Sequence, residues 1–188
     1  MNTQKHYDKY KQQTCKFYNS TGCCRYGEQC KNAHPTPLIS RTLLIPHMYQ
    51  PLPIGIALAE GMSLSDSQLM EIITHQEQFY MEVFMELCNY GEIVEMRIVD
   101  NITDHLIGNV YVLFYGEEDA KRCMEEVRGK KYKERLVVPE YSPIVHFQDG
   151  ECKQFLEDRC TRGGNCNLFH FKEINKRLRR KLMKYMYK

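Results

Sequence analysis

Four stretches of the chain are rich in apolar residues with strand propensity, and in 92–100 apolar and polar positions alternate, which predicts four β-strands. These stretches are residues 42–49, 92–100, 109–115 and 135–141. After the first and the third stretch, apolar residues instead recur every three or four positions, which predicts two helices. The resulting order is β-α-β-β-α-β, the split βαβ arrangement of an α+β domain.

Both predicted helices have recognisable limits and an apolar face. Ser65 and Gln68 have the spacing of a capping box at the start of the longer helix, which is expected to end near Gly91. Its apolar face consists of Leu69, Ile72, Ile73, Gln76, Tyr80, Val83, Phe84 and Leu87. The shorter helix, residues 117–127, has a face made of Ala120, Cys123, Met124 and Val127. Pro139 indicates that the last strand lies at the edge of the sheet.

Two segments outside this domain repeat one metal-binding pattern. The spacing C-x8-C-x5-C-x3-H is formed by Cys15, Cys24, Cys30 and His34. The spacing C-x7-C-x5-C-x3-H is formed by Cys152, Cys160, Cys166 and His170. Three thiolates and one imidazole complete a tetrahedral zinc shell and leave no position for water or substrate. The sequence therefore predicts two structural Zn²⁺ ions, with Cys24 rather than Cys23 as a ligand because Cys24 keeps the C-x5-C spacing.

These two zinc fingers divide the chain. Each is too short to bury much apolar surface, so metal binding is expected to supply its folding free energy. Pro35 and Pro37 indicate a linker after the first finger. The predicted order is an extension over 1–14 that is disordered or weakly helical, the first finger and linker over 15–40, the split βαβ domain over 41–146, the second finger over 147–171 and a basic helix over 172–188. The basic helix has one apolar stripe, made of Ile174, Leu178 and Leu182.

The 188 residues carry a formal net charge of only +2, but the charges are unevenly distributed. Residues 1–40 contain six Lys or Arg against two Asp or Glu, and residues 172–188 contain eight against one. Residues 41–151 contain nine against nineteen. Basic ends favour nucleic acid as a partner and an acidic middle favours a basic peptide, although charged surfaces are also often simply solvated.

Composition narrows the class of protein further. The sequence contains no run of 18 or more apolar residues, so a transmembrane span is not expected. The polar N-terminus also lacks the apolar stretch of a secretory signal. Six of the nine cysteines belong to the metal patterns. The remaining Cys23, Cys88 and Cys123 suit a reducing compartment better than a disulfide framework. We therefore expect neither a membrane partner nor a small-molecule substrate.

Basic and aromatic side chains surround the ligands of both fingers. Rings and guanidinium planes can stack on unpaired bases, and cations can hold phosphates. The candidate RNA-binding residues are Lys16, Phe17, Tyr18, Arg25, Tyr26, Lys31, Lys153, Phe155, Arg159, Arg162 and Phe169. The aromatic residues can instead form a miniature core, which we expect in part for Phe17 and Phe155.

The strand surface of the middle domain is poorly suited to RNA. Its chain order is that of an RNA-recognition motif (RRM), but Asn109 replaces an exposed aromatic residue and Ile107 replaces the basic position of the motif. Leu44 stands where a ring would stack on a base, and only Tyr111 remains of the stacking set. We therefore expect RNA affinity in the fingers and protein binding by the RRM-like domain.

Four short motifs carry a resemblance to a known family. They are GNVYV (108–112), SP (142–143), CTRGGNCN (160–167) and LRRKL (178–182). Together with the order finger, linker, degenerate RRM, finger and basic helix, they make nearly the whole chain resemble the small subunit of U2 snRNP auxiliary factor. The resemblance implies a nuclear pre-mRNA splicing factor whose two fingers bind the AG dinucleotide at the 3′ splice site. It also implies that the RRM-like domain is a U2AF-homology motif, which binds a tryptophan-containing peptide of the large subunit.

In that family the tryptophan lies between the first helix and an Arg-x-Phe loop, which aligns here with Lys130, Lys131 and Tyr132. Glu82 and Glu86 on the long helix are the acidic groups for the partner, although they also fit a solvated helix face. Lys130 replaces an arginine and cannot make its bidentate contacts. Lys131 stands where the family often has a tryptophan, and this chain has none. We therefore expect the interface with the large-subunit peptide to be weaker, or to have changed together with its partner. We also expect that interactions which the family makes through an Arg/Ser-rich tail are missing.

Two other functions are alternatives to this interpretation. A general CCCH zinc-finger protein that acts in mRNA decay or 3′-end processing would bind RNA without requiring AG or the large-subunit peptide. A metal-dependent nuclease is disfavoured by the closed zinc shells and by the lack of a clustered carboxylate site. We therefore predict a function in binding, without catalysis.

Overall fold

The protein is described by a computed structural model that covers residues 13–187. All but the last two residues of the predicted N-terminal extension, 1–14, lie outside this range. No helix between residues 13 and 187 is long and apolar enough to cross a membrane.

The middle of the chain forms an antiparallel sheet with two helices on one face. The strands are β1 (Thr42–Ile45), β2 (Ile93–Ile98), β3 (Val110–Phe114), β4 (Lys131–Tyr132), β5 (Arg135–Leu136) and β6 (Glu140–Tyr141). The helices are α1 (Lys16–Thr21), α2 (Pro53–Ala59), α3 (Asp66–Leu87), α4 (Glu117–Val127), α5 (Lys153–Leu156) and α6 (Lys176–Met186). The main sheet has the order β2-β3-β1-β6, with Leu44 paired to Tyr111 across its central strands. The predicted α+β class and the β-α-β-β-α-β order are thereby confirmed.

Three local expectations need correction. The predicted strand over 135–141 is two strands, because β5 pairs with β4 in a separate hairpin and only β6 joins β1. Pro139 lies between them and cannot donate a ladder hydrogen bond. The first strand ends at Ile45 instead of Tyr49, because Pro46 follows and His47 has a φ of 52°. The segment before α3, for which the sequence predicts neither helix nor strand, contains α2, which begins at Pro53, a favoured first helical residue.

The helix-covered face of the sheet holds the larger core. Ser65 and Gln68 form the predicted capping box, since the Gln68 amide N donates to Ser65 Oγ and the Ser65 amide N donates to Gln68 Oε1. The buried residues of α3 are Ile72, Gln76, Phe79, Tyr80, Val83, Phe84 and Leu87. Those of α4 are the predicted Ala120, Cys123, Met124 and Val127. Ile73, predicted to lie on the apolar face, is instead exposed.

The opposite face of the sheet is covered by both fingers and the segment between the sheet and the second finger. A second cluster forms there from Leu44, Val99, Leu106, Tyr111, Ile144, Phe147, Phe169 and Phe171. Tyr111 is fully buried, and its hydroxyl donates to the carbonyl oxygen of Thr21 at 2.5 Å. The face on which an RRM stacks bases therefore supports the fingers in this chain.

The basic helix α6 packs beside α3. Leu182 is buried, and Ile174 and Leu178 pack against the same core, which confirms the predicted apolar stripe. The amide N of Ile93 donates to Met186 Sδ at 3.1 Å, so the end of α6 also contacts the edge strand of the sheet. Most charged residues of α6 are exposed, whereas Arg179 is half-buried near Tyr80 and Phe84.

Candidate zinc centres and nucleic-acid interface

The first finger brings its four predicted ligands together around α1. Cys15 precedes that helix, and Gly22, with a φ of 67°, turns the chain back after it. The ligand atoms of Cys15, Cys24, Cys30 and His34 all lie within 4.8 Å of one another. The ring of Tyr18 stacks on His34, with centroids 4.6 Å apart and planes 9° apart. This stacking fixes the imidazole in the cluster.

The second finger repeats this construction around α5. The ligand atoms of Cys152, Cys160, Cys166 and His170 also lie within 4.8 Å of one another. Phe155 stacks on His170 with centroids 3.9 Å apart and planes 12° apart. Phe155 follows the first cysteine by three residues, as Tyr18 does in the first finger. The matching ring in the first finger is thus Tyr18, and Phe17, which we expected in the miniature core, is exposed.

Both clusters fit zinc. A tetrahedral ion with Zn–S bonds of about 2.3 Å places its sulfurs about 3.8 Å apart. Cys152 Sγ and Cys160 Sγ are separated by 3.7 Å. In the described part of the chain, Nε2 of His34 and Nε2 of His170 are buried without a hydrogen-bond partner, as expected of metal-binding nitrogens. Both clusters are structural zinc sites.

Cys23 is outside the first cluster, as predicted. Its Sγ lies 3.4 Å from the hydroxyl of Tyr111 and 3.4 Å from Nδ2 of Asn109. Burial raises the pKa of the Cys23 thiol to about 11, so the thiol is protonated at neutral pH. Cys23 therefore attaches the first finger to the sheet instead of binding metal.

Arg162 lies against the ligands of the second site. Its Nε is 3.2 Å from Cys166 Sγ and its Nη2 is 3.6 Å from Cys152 Sγ. The Cys166 and Cys152 sulfurs raise the pKa of the guanidinium above its ordinary value. Three thiolates around Zn²⁺ leave one net negative charge, which Arg162 balances. Sequence reasoning assigned this residue to RNA alone and missed its contact with the metal ligands.

Most of the other predicted RNA-binding residues are exposed on the two fingers. Five cations and two rings reach solvent, namely Lys16, Arg25, Lys31, Lys153, Arg159, Phe17 and Tyr26. Phe169 is different, because its side chain is only 1% exposed and its ring lies 5.0 Å from that of Tyr111. The prediction that Phe169 stacks on RNA is therefore wrong for this structure, since the core beneath the second finger encloses it.

Four of the five predicted partner-binding residues meet between α3 and the β4–β5 hairpin. The ring of Tyr132 packs edge-on against Phe79 at 5.6 Å, and its hydroxyl donates to Glu82 Oε2 at 2.7 Å. Lys130 Nζ lies 3.8 Å from a carboxylate oxygen of Glu86. Lys131 is exposed, with no ion pair among the described residues. The loop thus holds an aromatic ring against the long helix and neutralises part of its acidic face.

Comparisons with known proteins agree with this arrangement. Residues 10–36 match the family "Zinc finger C-x8-C-x5-C-x3-H type (and similar)". The chain is 40% identical over 169 residues to the "Splicing factor U2AF 26 kDa subunit" of Rattus norvegicus, covering 89% of this chain and 76% of that protein. The chain belongs to the U2AF small subunit family. It is also 40% identical over 171 residues to a U2af small-subunit splicing factor of Arabidopsis thaliana, covering 89% of this chain and only 59% of the length of that relative.

Among solved structures, the chain is similar to one described as "Structure of RNA15 RRM". The two are 15% identical with a TM-score of 0.32, and the similarity covers 55% of this chain and 91% of that one. The RRM-like fold of this chain is shown by the order of its strands, β2-β3-β1-β6, and by the packing of α3 and α4 on one face of the sheet.

The loop between β2 and β3 holds functional residues that the sequence did not reveal. Asn101 donates from Nδ2 to the carbonyls of Cys166 and Leu168, and its Oδ1 accepts from the amide N of His170. On its other side, Asn109 Nδ2 donates to Sγ of Cys23 in the first finger at 3.4 Å. The turn residues in this segment indicated a loop but not its contacts, which arise only when both fingers fold onto the sheet. One loop therefore touches both zinc fingers.

Proposed function

We propose that the chain is a nuclear pre-mRNA splicing factor that binds the AG dinucleotide at the 3′ splice site through its two zinc fingers. Membership of the U2AF small subunit family supports this proposal, because the similar proteins are named splicing factors. The protein acts by binding, since each Cys₃His shell has no open position for an attacking water.

The observation that carries the proposal is the shared support of the two fingers. Asn101 and Ile102 bond to the second finger, and Asn109 in the same loop contacts Cys23 beside the first. Two adjacent bases can be read together when the two recognition surfaces are held at a constant distance. Preformed surfaces also lose less conformational entropy on binding.

The exposed cations and rings of the fingers are the proposed RNA contacts. Arg25 and Lys31 in the first finger and Lys153 and Arg159 in the second are exposed and can reach phosphates, and Tyr26, 62% exposed, can stack on a base. Replacing Arg25 with Ala is expected to weaken RNA binding by about 1–3 kcal/mol, the usual size of one lost charged contact.

The RRM-like domain is proposed to bind a tryptophan-containing peptide of the large subunit. The half-buried ring of Tyr132, which packs on the buried Phe79 of α3, provides aromatic surface beside that helix. A tryptophan ring bound there would gain most of its affinity from apolar contact. A partner bound next to the fingers also raises the effective concentration of the fingers near their site on the same RNA.

The RNA part of the proposal is tested with short single-stranded RNAs that end in AG, CG or AC. Fluorescence anisotropy at fixed salt should give the tightest binding for AG, and the preference should disappear after zinc is removed with a chelator. Equal affinity for the three RNAs would instead indicate a general mRNA-binding protein. Adding the tryptophan peptide to the same titrations measures how far the two activities are coupled.

The peptide part is tested by calorimetry with a tryptophan-bearing peptide. Tyr132→Ala should weaken binding by about 2 kcal/mol or more, as expected for the main aromatic anchor of an interface. Lys131→Ala, the matched control in the same loop, should alter mainly the salt dependence, because an exposed ammonium at the rim of an interface mostly affects association. Equal losses in the two variants would show that the loop has a second anchor.

A further inference from the structure

The outer face of α6 is strongly basic. Six Lys or Arg lie between Lys176 and Lys184, and no Asp or Glu lies among them. Five of them are exposed. Four of these recur every three or four residues, which places them on one side of the helix, and they are Arg177, Arg180, Lys181 and Lys184. Together with the half-exposed Tyr185, these four cations line a shallow open groove.

This basic face makes no ion pair among the described residues, although Glu95 lines a neighbouring groove together with Arg180 and Lys184. None of the four cations has a carboxylate oxygen within 4.0 Å among residues 13–187. In the loop that is proposed to bind the large-subunit peptide, by contrast, Lys130 lies beside Glu86 and Lys133 lies beside Glu82. Packing of α6 is provided by Leu178 and Leu182 on its other side. The four charges therefore contribute nothing visible to the fold, and an external anion would complement them.

The basic face adjoins the second zinc finger through Lys176. Lys176 lines a crevice of about 120 Å³ with Phe155 and Leu156 of that finger and with Glu151 and Glu173. It also lines a groove beside β2 together with Arg180 and Lys184 of the basic face. Phe155 is the ring that stacks on the zinc ligand His170. The 11 residues of α6 extend about 16 Å from this point at 1.5 Å per residue. A strand that leaves the second finger on this side would meet cations along the whole helix.

We propose that the outer face of α6 binds the phosphate backbone of single-stranded RNA that continues from the second zinc finger. This inference rests on the proposed function, because it needs RNA on that finger. Cations along a groove hold phosphates without regard to sequence, and an aromatic ring among them accepts a stacked base. Tyr185, half exposed and beside Lys181 and Lys184 in the groove, provides that ring. The ring and the adjoining finger favour RNA over an acidic peptide, which would need only the charges.

The test compares two double variants of the full chain with the same loss of charge. Arg180→Gln/Lys184→Gln removes two cations from the basic face, and Lys121→Gln/Arg122→Gln removes one exposed lysine and one exposed arginine from α4. Glutamine keeps a high helix propensity, and circular dichroism checks that both proteins are folded. The probes are a short RNA that contains only AG with its nearest neighbours and longer RNAs that extend it with uridines on one side or the other.

The wild-type protein should bind one of the longer RNAs more tightly than the short one. In Arg180→Gln/Lys184→Gln this gain should fall about 5–10-fold at low salt. The slope of log K against log salt should become shallower by about 1.4, because two phosphate contacts on a single strand are lost. The control variant should keep both the gain and the slope. Tyr185→Ala should reduce the gain about five-fold or more and leave the slope unchanged, because stacking releases no counterions.

Three results would overturn the inference. The first is an equal loss in the two double variants, and the second is a wild-type protein that gains nothing from either extension. The third is binding of a polyglutamate peptide that Arg180→Gln/Lys184→Gln abolishes while its RNA binding stays normal, which would assign the face to an acidic protein. Preference for AG over CG on the short RNA is measured in the same titrations. Its failure would contradict the proposed function, separately from any result on the extensions.

Discussion

The two zinc fingers have nearly the same ligand spacing, and each has an aromatic ring stacked on its histidine ligand. They are nevertheless attached to the RRM-like domain in different ways. In the first finger, Cys30 and His34 are only half buried, and attachment runs through the end of α1 and Cys23. In the second finger, His170 is 3% exposed and the following Phe171 bridges to Val99 beside the sheet. One pattern therefore serves once as a docked module and once as part of the core.

Equivalent positions make the contrast concrete. Glu28 and Gly164 each follow the second cysteine of their finger by four residues. Glu28 is exposed, whereas Gly164 is buried, and a Cβ added there would lie 2.7 Å from Ile102 Cγ1 and 3.1 Å from Ala59 Cβ. Ligand spacing specifies the metal site, and the residues between the ligands specify how the finger docks.

The largest difference is expected when each finger loses a zinc ligand. Cys166→Ser and Cys30→Ser should each reduce the bound zinc from two ions to one. Cys166→Ser should lower the free energy of unfolding by about 4 kcal/mol or more, because the second site holds Phe169 and Phe171 in the core. Cys30→Ser should lower it by less than about 2 kcal/mol, since the first finger contributes little to the sheet-face core. Urea denaturation with metal counting measures both, and equal losses would contradict the comparison.

The next largest effect is expected at Asn101. Replacing it with Ala removes three hydrogen bonds to the backbone of the second finger and leaves buried carbonyls without a donor. The free energy of unfolding should fall by about 2–4 kcal/mol. The control is Asn89→Ala, whose amide donates to one helix carbonyl near the surface, and its cost should stay within about 0.5 kcal/mol. Similar costs for the two variants would mean that Asn101 does not anchor the finger.

The sequence predicts the metal ligands and the order of the elements, but it does not predict how the fingers pack on the sheet. Spacing predicts the zinc ligands, because four ligands around one small ion constrain a short segment, and it correctly prefers Cys24 to Cys23. Apolar runs and helical spacing predict the element order, because β1 and β3 are buried on both faces of the sheet and α3 and α4 each bury one side. Neither signal shows that Phe169 and Tyr111 meet beneath the fingers. That contact joins residues 58 positions apart, and a ring next to a metal ligand suits a base or a core equally well.

A smaller effect is expected at the paired positions Gly164 and Glu28. Gly164→Ala places a methyl group against Ile102 and Ala59, and it should cost about 1–3 kcal/mol of stability by overpacking. Glu28→Ala lies on the surface of the first finger and should change stability by no more than about 0.5 kcal/mol. Thermal unfolding of both variants gives the comparison. A harmless Gly164→Ala would show that the second finger is packed as loosely as the first.

The smallest effect concerns how the first finger docks through Cys23. Its thiol has a pKa of about 11 when folded, against 9.0 when exposed, because burial disfavours the thiolate. Between pH 9 and 11 the unfolded chain loses this proton and the folded chain keeps it, so stability present below pH 9 is lost as the pH rises to about 11. Relative to Cys23→Ala, the wild-type protein should lose about 1–2 kcal/mol more over this range. Urea denaturation at pH 8 and pH 11 measures this, and parallel curves would place Cys23 in solvent.

Hydrogen–deuterium exchange of Cys30→Ser and Cys166→Ser beside the wild-type protein tests the difference between the fingers most directly. In Cys30→Ser, faster amide exchange should be confined to residues 13–36, while β2 and β3 stay protected. In Cys166→Ser, faster exchange should spread from the second finger into the β2–β3 loop and the ends of both strands. Faster exchange confined to the second finger in Cys166→Ser would contradict the account, because it would show that this finger, too, is only docked on the sheet.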